Sequence, residues 1–235
     1  THHKQQDLGS YVVHANGEAY LVDPGYYEPK PTDHTLPLID GRGPGVSGSR
    51  ITEAWEKGPW RHMTVDSTDG YGDAAKSVRR LIVMHGEDCV AVLDDILPVD
   101  GNAVTITAQY QTGWMPKIDN AADHQLIVPG LKGSLGLRCF GHMVELEARD
   151  RQFKSGWRWD KISEDGPGDW HSVTGTYIAD PDRPCITVLQ PARANRGLPP
   201  GPMCRYGNGT VDLRFESGVR IHFTRNEKGW QCVQP

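Results

Sequence analysis

The sequence lacks most of the features that mark helical, membrane-spanning or nucleic-acid-binding proteins. No apolar run approaches the ~18 residues that a membrane-spanning helix needs. Positive charge is not in excess: 25 Lys and Arg stand against 30 Asp and Glu, a net charge of −5. That balance argues against a nucleic-acid binder relying on overall charge. Cysteine occurs five times with no Cys-x-x-Cys pair, which excludes a zinc ribbon or a thioredoxin-like site. Two readings of the thiols stay open: one disulfide, between Cys204 and Cys232, or buried thiols acting as small apolar residues, the commoner outcome. Helical periodicity is almost missing. Only the stretch Ile51-Thr52-Glu53-Ala54-Trp55-Glu56-Lys57 is read as one or two helical turns. The opening Thr1-His2-His3-Lys4-Gln5-Gln6-Asp7 is polar throughout, so no signal peptide is read there.

What is abundant points to strands. Gly (27) and Pro (17) punctuate the 235 residues, and both break helix interiors. Residues 10–14 and 18–23 flank Asn16-Gly17, the strongest short-range hairpin signal, because Asn-Gly supplies the positive φ values of a type I′ turn. Further β-rich runs lie at 61–66, 78–84, 89–95, 104–108, 135–139, 143–148, 172–177, 185–189, 210–215, 219–224 and 230–233. Many short strands with frequent turn signals imply an all-β protein. The expected architecture is a large antiparallel two-sheet β-sandwich of the super-sandwich type with few or no helices. No internal repeat or linker cuts the chain, so residues 1–235 are read as one β-sandwich domain. The Gly- and Pro-rich stretches at 40–48, 164–169 and 193–202 are loops.

Chemistry-bearing residues gather near the start. On an extended segment His3 and Gln5 share a face, because side chains alternate with period two. The Asn16-Gly17 hairpin returns Asp23 toward the beginning of its first strand, and His34 follows in Thr32-Asp33-His34-Thr35. An imidazole or amide, a carboxylate and a second imidazole converging from three segments suit a divalent metal. The same residues also suit an ordinary strand-end histidine and an Asp-Pro-Gly turn, and spacing alone leaves both readings open.

The ordered set His3-Lys4-Gln5-Gln6-Asp7-Leu8-Gly9-Ser10-Tyr11, then Leu21-Val22-Asp23-Pro24-Gly25-Tyr26, then His34-Thr35-Leu36-Pro37-Leu38-Ile39-Asp40-Gly41 resembles the heparinase II/III-like family of polysaccharide lyases. That family reads roughly H-x-H-x-D-x-G-S-F, a strand ending D-P-G-Y, and H-N-x-x-x-x-D-G. The resemblance continues through Val65-Asp66-Ser67-Thr68-Asp69-Gly70-Tyr71 and Arg79-Arg80-Leu81-Ile82-Val83 to Val90-Ala91-Val92-Leu93-Asp94-Asp95-Ile96, and so covers residues 3–96. It implies a two-part enzyme, an N-terminal α/α toroid followed by a C-terminal sandwich, of which this chain matches only the sandwich. It also implies β-elimination on a uronic-acid polysaccharide, with a periplasmic or secreted bacterial location. The expected partners are the toroid and an anionic polysaccharide, with no nucleic acid and no membrane. The position of the family's sandwich-borne catalytic histidine is His3, and the chain alone is expected to be inactive. The family's structural metal maps to Gln5, Asp23 and His34. Gln5 departs from the family's histidine, and a neutral amide oxygen suits zinc less well than imidazole. The expected cofactor is therefore a structural divalent ion, zinc or calcium, or else a metal-free hydrogen-bonded triad of the same shape. Two alternatives accompany the lyase reading: a non-catalytic carbohydrate-binding or scaffold module, and part of a uronate epimerase.

Other features carry bland readings first. Residues 149–161 interleave five cations with three aromatics, a pattern that can stack on sugars and pair with their anions but more often marks a core strand with solvated charges. The loop cations Arg193, Arg196 and Arg205, and Trp55, Trp60, Trp114 and Trp170, are read the same way, core burial being the default for tryptophan.

Overall fold

Asn16 and Gly17 both take left-handed φ, 54° and 76°, which is the type I′ turn expected between the first two strands. This is seen in a computed structural model that describes residues 5–23, 30–99, 103–120, 124–151 and 170–234. The strands follow in chain order as β1 (Val13–Ala15), β2 (Glu18–Leu21), β3 (Pro37–Ile39), β4 (Arg50–Lys57), β5 (Trp60–Asp66) and β6 (Ser77–His85). Next come β7 (Cys89–Leu97), β8 (Thr105–Thr112), β9 (Lys117–Asn120), β10 (Gln125–Pro129), β11 (Gly133–Phe140) and β12 (Met143–Arg151). The last are β13 (Trp170–Ile178), β14 (Cys185–Arg193), β15 (Met203–Gly207), β16 (Thr210–Arg214), β17 (Arg220–Asn226) and β18 (Gly229–Cys232). The helical content among the described residues is one turn, α1 (Thr68–Tyr71), and two 3-10 turns. No helix there is long and apolar enough to cross a membrane.

The strands form antiparallel sheets of six, eight and four strands. The all-β sandwich expected from sequence is thus built with a third, smaller sheet. The first sheet runs β1-β2-β8-β13-β12, with β3 also pairing β8. The second runs β4-β5-β6-β7-β14-β11-β10-β9, and the third β15-β16-β17-β18. The eight-stranded sheet is the middle layer. On β14, Cys185 and Leu189 pack toward the six-stranded sheet, while Ile186 and Val188 pack toward the small sheet with Val211, Phe223 and Trp230. Both faces of the central strands are covered, so they read as nearly unbroken apolar runs such as Val90-Ala91-Val92-Leu93 and not as alternations.

One expectation needs correction, and one open alternative closes. Residues 51–57 are not helical: they lie in the edge strand β4, paired with β5 from Arg50↔Asp66 to Lys57↔Trp60. The spacing of Ile51, Ala54 and Trp55 fits a helix locally, but the open edge of β5 supplies ladder hydrogen bonds, and a short segment follows its tertiary partner. The Cys204–Cys232 disulfide does not form. Those residues sit on β15 and β18, the outer strands of the four-stranded sheet. Three strand spacings of ~4.8 Å separate them, well beyond the ~7 Å between Cα atoms that a disulfide can span. All five cysteines are free thiols. Burial pushes Cys139 and Cys204 up to about 11 and Cys89 and Cys232 up to about 12, so none is a reactive thiolate near neutrality.

Candidate functional site

Strand β8 organises the region around Asp23 and His34. Leu21 pairs with Thr112, and the Val22 amide donates to the Gln111 carbonyl at 2.9 Å. Thirteen residues after Asp23 the chain is back on β8: the Gln109 amide donates to the Leu36 carbonyl at 3.1 Å, and Pro37–Ile39 pairs with residues 106–108. Both ends of the excursion from Asp23 to His34 are therefore tied to one short length of one strand. The return is shaped by the 3-10 turn Pro31–Asp33, where Asp33 Oδ2 accepts from the Lys30 amide at 2.7 Å. The Gln111 side chain then donates to the Thr32 carbonyl at 2.9 Å.

The result is a close pair. His34 Nδ1 lies 2.7 Å from Asp23 Oδ2, with the imidazole fully buried and the carboxylate 30% exposed. An ionised carboxylate only accepts, so Nδ1 carries a proton, and in the neutral imidazole Nε2 then presents its lone pair. His34 Nε2 is buried and has no hydrogen-bond partner among the described residues, an uncommon and costly state for a polar atom. Ser10 closes the same corner, its hydroxyl accepting from the Thr35 amide at 3.1 Å.

Beneath this corner lies a buried charge that sequence reading did not assign. Arg80 on β6 makes a two-pronged pair with Asp94 on β7, Nε to Oδ1 at 2.7 Å and Nη2 to Oδ2 at 3.0 Å. Its remaining terminal nitrogen donates to the Gly9 carbonyl at 2.6 Å and the Thr35 carbonyl at 3.0 Å. Gly9 takes φ of 77° there, a conformation that favours glycine. The guanidinium also lies over the Tyr11 ring, 5.1 Å from its centroid. Burial alone would lower Arg80, but the adjacent Asp94 carboxylate more than reverses this and the net shift is upward. Burial likewise raises the Tyr11 phenol. In the sequence, Arg79-Arg80 and Asp94-Asp95 enter only as part of the resembling stretch and receive no role. The available signal was their place inside two otherwise apolar strands.

Of the residues singled out from sequence, the structure brings Asp23 and His34 together. Gln5 is partly buried, and His3 lies outside the described residues. Among the described residues, no group of three or more His, Cys, Asp and Glu stands close enough to hold a metal. The donor types, a carboxylate beside an imidazole with the Gln5 amide oxygen, suit a structural divalent ion with a mixed oxygen and nitrogen shell. Because Asp23 lies on the Nδ1 side of His34, an ion held by both would take Nδ1 and replace their hydrogen bond, not use the unpartnered Nε2. Most of the cation and aromatic segment at 149–161 lies outside the described residues. Arg193 and Arg196 are exposed on a cleft of about 990 Å³ at the Asn16-Gly17 end of the first hairpin, and Arg205 does not line it. Trp60 and Trp114 pack against the two cores, and Trp55 stacks on His62 with ring centres 5.1 Å apart.

No protein-family model matches the sequence, and no curated protein matches it. Solved structures do resemble the fold. A heparinase III gene product with methylated lysines superposes with a TM-score of 0.70 at 13% identity, covering 94% of this chain and 36% of that one. A crystal structure of heparinase III gives 0.67 at 14% identity over 93% of this chain and 35% of that one. Heparan sulfate lyase HepC from Pedobacter heparinus gives 0.67 at 12% identity over 97% of this chain and 36% of that one. The chain thus spans about a third of the length of the neighbours it matches, and at these identities the likeness is one of fold.

Proposed function

We propose that this chain is the β-sandwich portion of a polysaccharide lyase that cleaves a uronic-acid-containing polysaccharide by β-elimination. Residues 1–235 form one sandwich unit, and its partner is an N-terminal α/α toroid. The observation that carries the reading is the Asp23–His34 pair, 2.7 Å apart on the edge of β8. It stands where the family motifs set those two residues side by side, in a fold shared with heparan sulfate lyases. The parent enzyme is taken to act in a bacterial periplasm or outside the cell.

In this reaction a base removes the proton α to the uronate carboxyl, and the adjoining glycosidic C–O bond breaks with the proton supplied to the leaving oxygen. The carboxylate must be neutralised or hydrogen-bonded so that the enolate-like intermediate is stabilised. His3 is the base this chain contributes, since imidazole titrates near working pH. Asp23 and His34 act one step back: their bond joins the two ends of the excursion between β2 and β3 to each other, and Ser10 ties that corner to the segment that follows His3 and Gln5. Gln5, Asp23 and His34 would hold a structural zinc or calcium ion, whose contribution is to cross-link these segments. The acid and the carboxylate-neutralising groups belong to the toroid, so the chain alone is inactive.

The test joins this chain to the segment encoded upstream of Thr1 and measures the ultraviolet absorbance of unsaturated uronate on heparan sulfate, hyaluronan, chondroitin and alginate. Elimination with the joined protein, none with the chain alone, and loss on His3→Ala support the reading. Absence of absorbance on all four contradicts it. Epimerised uronate without new absorbance would indicate an epimerase. For the ion, Zn²⁺ or Ca²⁺ should raise the melting temperature of the chain, and Asp23→Ala should abolish the rise. No shift with either ion rejects the metal and leaves the hydrogen-bonded pair. Gln5 gives one second reading its support: a module that keeps the lyase shape without its chemistry would tolerate an amide where the family has imidazole.

A further inference from the structure

Gln5, Asp23 and His34 lie outside the strands, before β1 and between β2 and β3, and chain without a ladder needs an anchor. We infer that Arg80 is the positioning residue of this site, setting the His34 imidazole by tying the backbone at Thr35, next to it, to Gly9 of the segment before β1. One terminal nitrogen of Arg80 is shared between the Gly9 carbonyl, four residues after Gln5, and the Thr35 carbonyl, next to His34 (2.6 and 3.0 Å). The other two nitrogens each donate to Asp94. Arg80 and Asp94 side chains are 7% and 6% exposed. A planar guanidinium held by a two-pronged carboxylate has its remaining N–H bonds aimed in fixed directions, which an ammonium does not. The guanidinium thus fixes the separation of two irregular segments that share no ladder hydrogen bonds. Ser10 Oγ to the Thr35 amide, 3.1 Å, is the second tie across the same gap. Neither Arg80 nor Asp94 touches Asp23 or His34 through a side-chain hydrogen bond, so the effect passes through the backbone at Thr35. This inference rests on the reading above for its functional meaning, but its geometric content does not.

The decisive variant is the double substitution Arg80→Met with Asp94→Leu. Exchanging a buried ion pair for apolar residues of similar volume is often neutral or stabilising, so the sandwich should fold while both carbonyl ties are lost. The readout is the ¹⁵N spectrum of the histidine rings, with His34 assigned by His34→Gln. The wild-type chain should show His34 as a single Nδ1–H tautomer. The double variant should show it averaged between tautomers, and Arg80→Lys should fall between the two. In the joined protein, the double variant should lower kcat about 10-fold to 100-fold, the range for partners that orient site residues, with KM held. A folded double variant with an unchanged His34 signal overturns the inference. If the double variant does not fold, Arg80→Lys decides by the same signal. An intact His34 signal in a wild-type protein without lyase activity would instead count against the proposed function.

Discussion

Arg79 and Arg80 are neighbours on β6, and their partners Asp95 and Asp94 are neighbours on β7, paired in register across the ladder. Because strand side chains alternate, the two pairs face opposite layers. Arg80–Asp94 faces the six-stranded sheet and holds carbonyls of irregular chain at Gly9 and Thr35. Arg79–Asp95 faces the small sheet and holds a regular strand. Asp95 Oδ2 accepts from the Trp230 amide at 3.0 Å, and Arg79 donates to the Trp230 carbonyl at 3.2 Å and to the Lys228 carbonyl. The surroundings differ too. The seam toward the six-stranded sheet includes buried polar contacts such as Tyr110 to Thr187 at 2.6 Å, whereas the seam toward the small sheet is built on Trp230, Phe223, Leu213 and Ile221. The same ladder step therefore serves packing on one face and placement on the other. Where apolar contact already fixes a strand, a charge pair adds register. Where the chain has little regular pairing, the charge pair is what sets its position.

Single substitutions should separate these two uses. Arg80→Met leaves Asp94 buried without its counter-charge and should cost about 3–5 kcal/mol, the range for breaking a buried pair. Arg79→Met should cost less, because its pair is less buried (14% and 11% exposed against 7% and 6%) and more loosely spaced at 3.3 Å. Urea unfolding of both variants measures the order, and equal costs would break the distinction. Gly229 comes next. Its φ is 100°, and a Cβ there would overlap both Arg79 and Asp95. Gly229→Ala should cost roughly 1–3 kcal/mol and loosen the small sheet while leaving the His34 signal unchanged.

The smallest effect is pH-dependent. His62 lies opposite Val83, on the face toward the small sheet, and burial lowers it from 6.5. The unfolded chain then binds the extra proton first as pH falls. The stability His62 contributes is full above 6.5 and is lost as pH falls through its lowered folded value. His62→Gln should narrow the difference in melting temperature between about pH 7.5 and pH 5.5. A difference as wide as that of the wild-type chain would show that His62 stays charged when folded.

Much of the layer plan was legible because apolar alternation and turn chemistry are local. Asn16-Gly17 and the runs ending in β6, β7, β13 and β14 are read from residues that dictate their own conformation. β9, β10 and β15 were not read. Lys117–Asn120 is polar, Gln125–Pro129 ends in proline, and Met203–Gly207 follows a Pro-rich loop, so each is a strand only because a neighbouring strand offers its edge. The existence of a third sheet is hidden for a related reason, since a short strand carries no mark of which layer it joins. At the site, Asp23 and His34 could be placed together through the order of the motifs. Arg80 could not be assigned, because a charge within a strand reads as solvent-facing until the layer covering it is known.

Amide hydrogen exchange on the Arg79→Lys and Arg80→Lys chains, followed at residues 34–36 and at residues 221–232, separates the two faces in one experiment. The account predicts faster exchange around Thr35 in the Arg80 variant alone and around Trp230 in the Arg79 variant alone. Equal loosening of both regions by either substitution would contradict it.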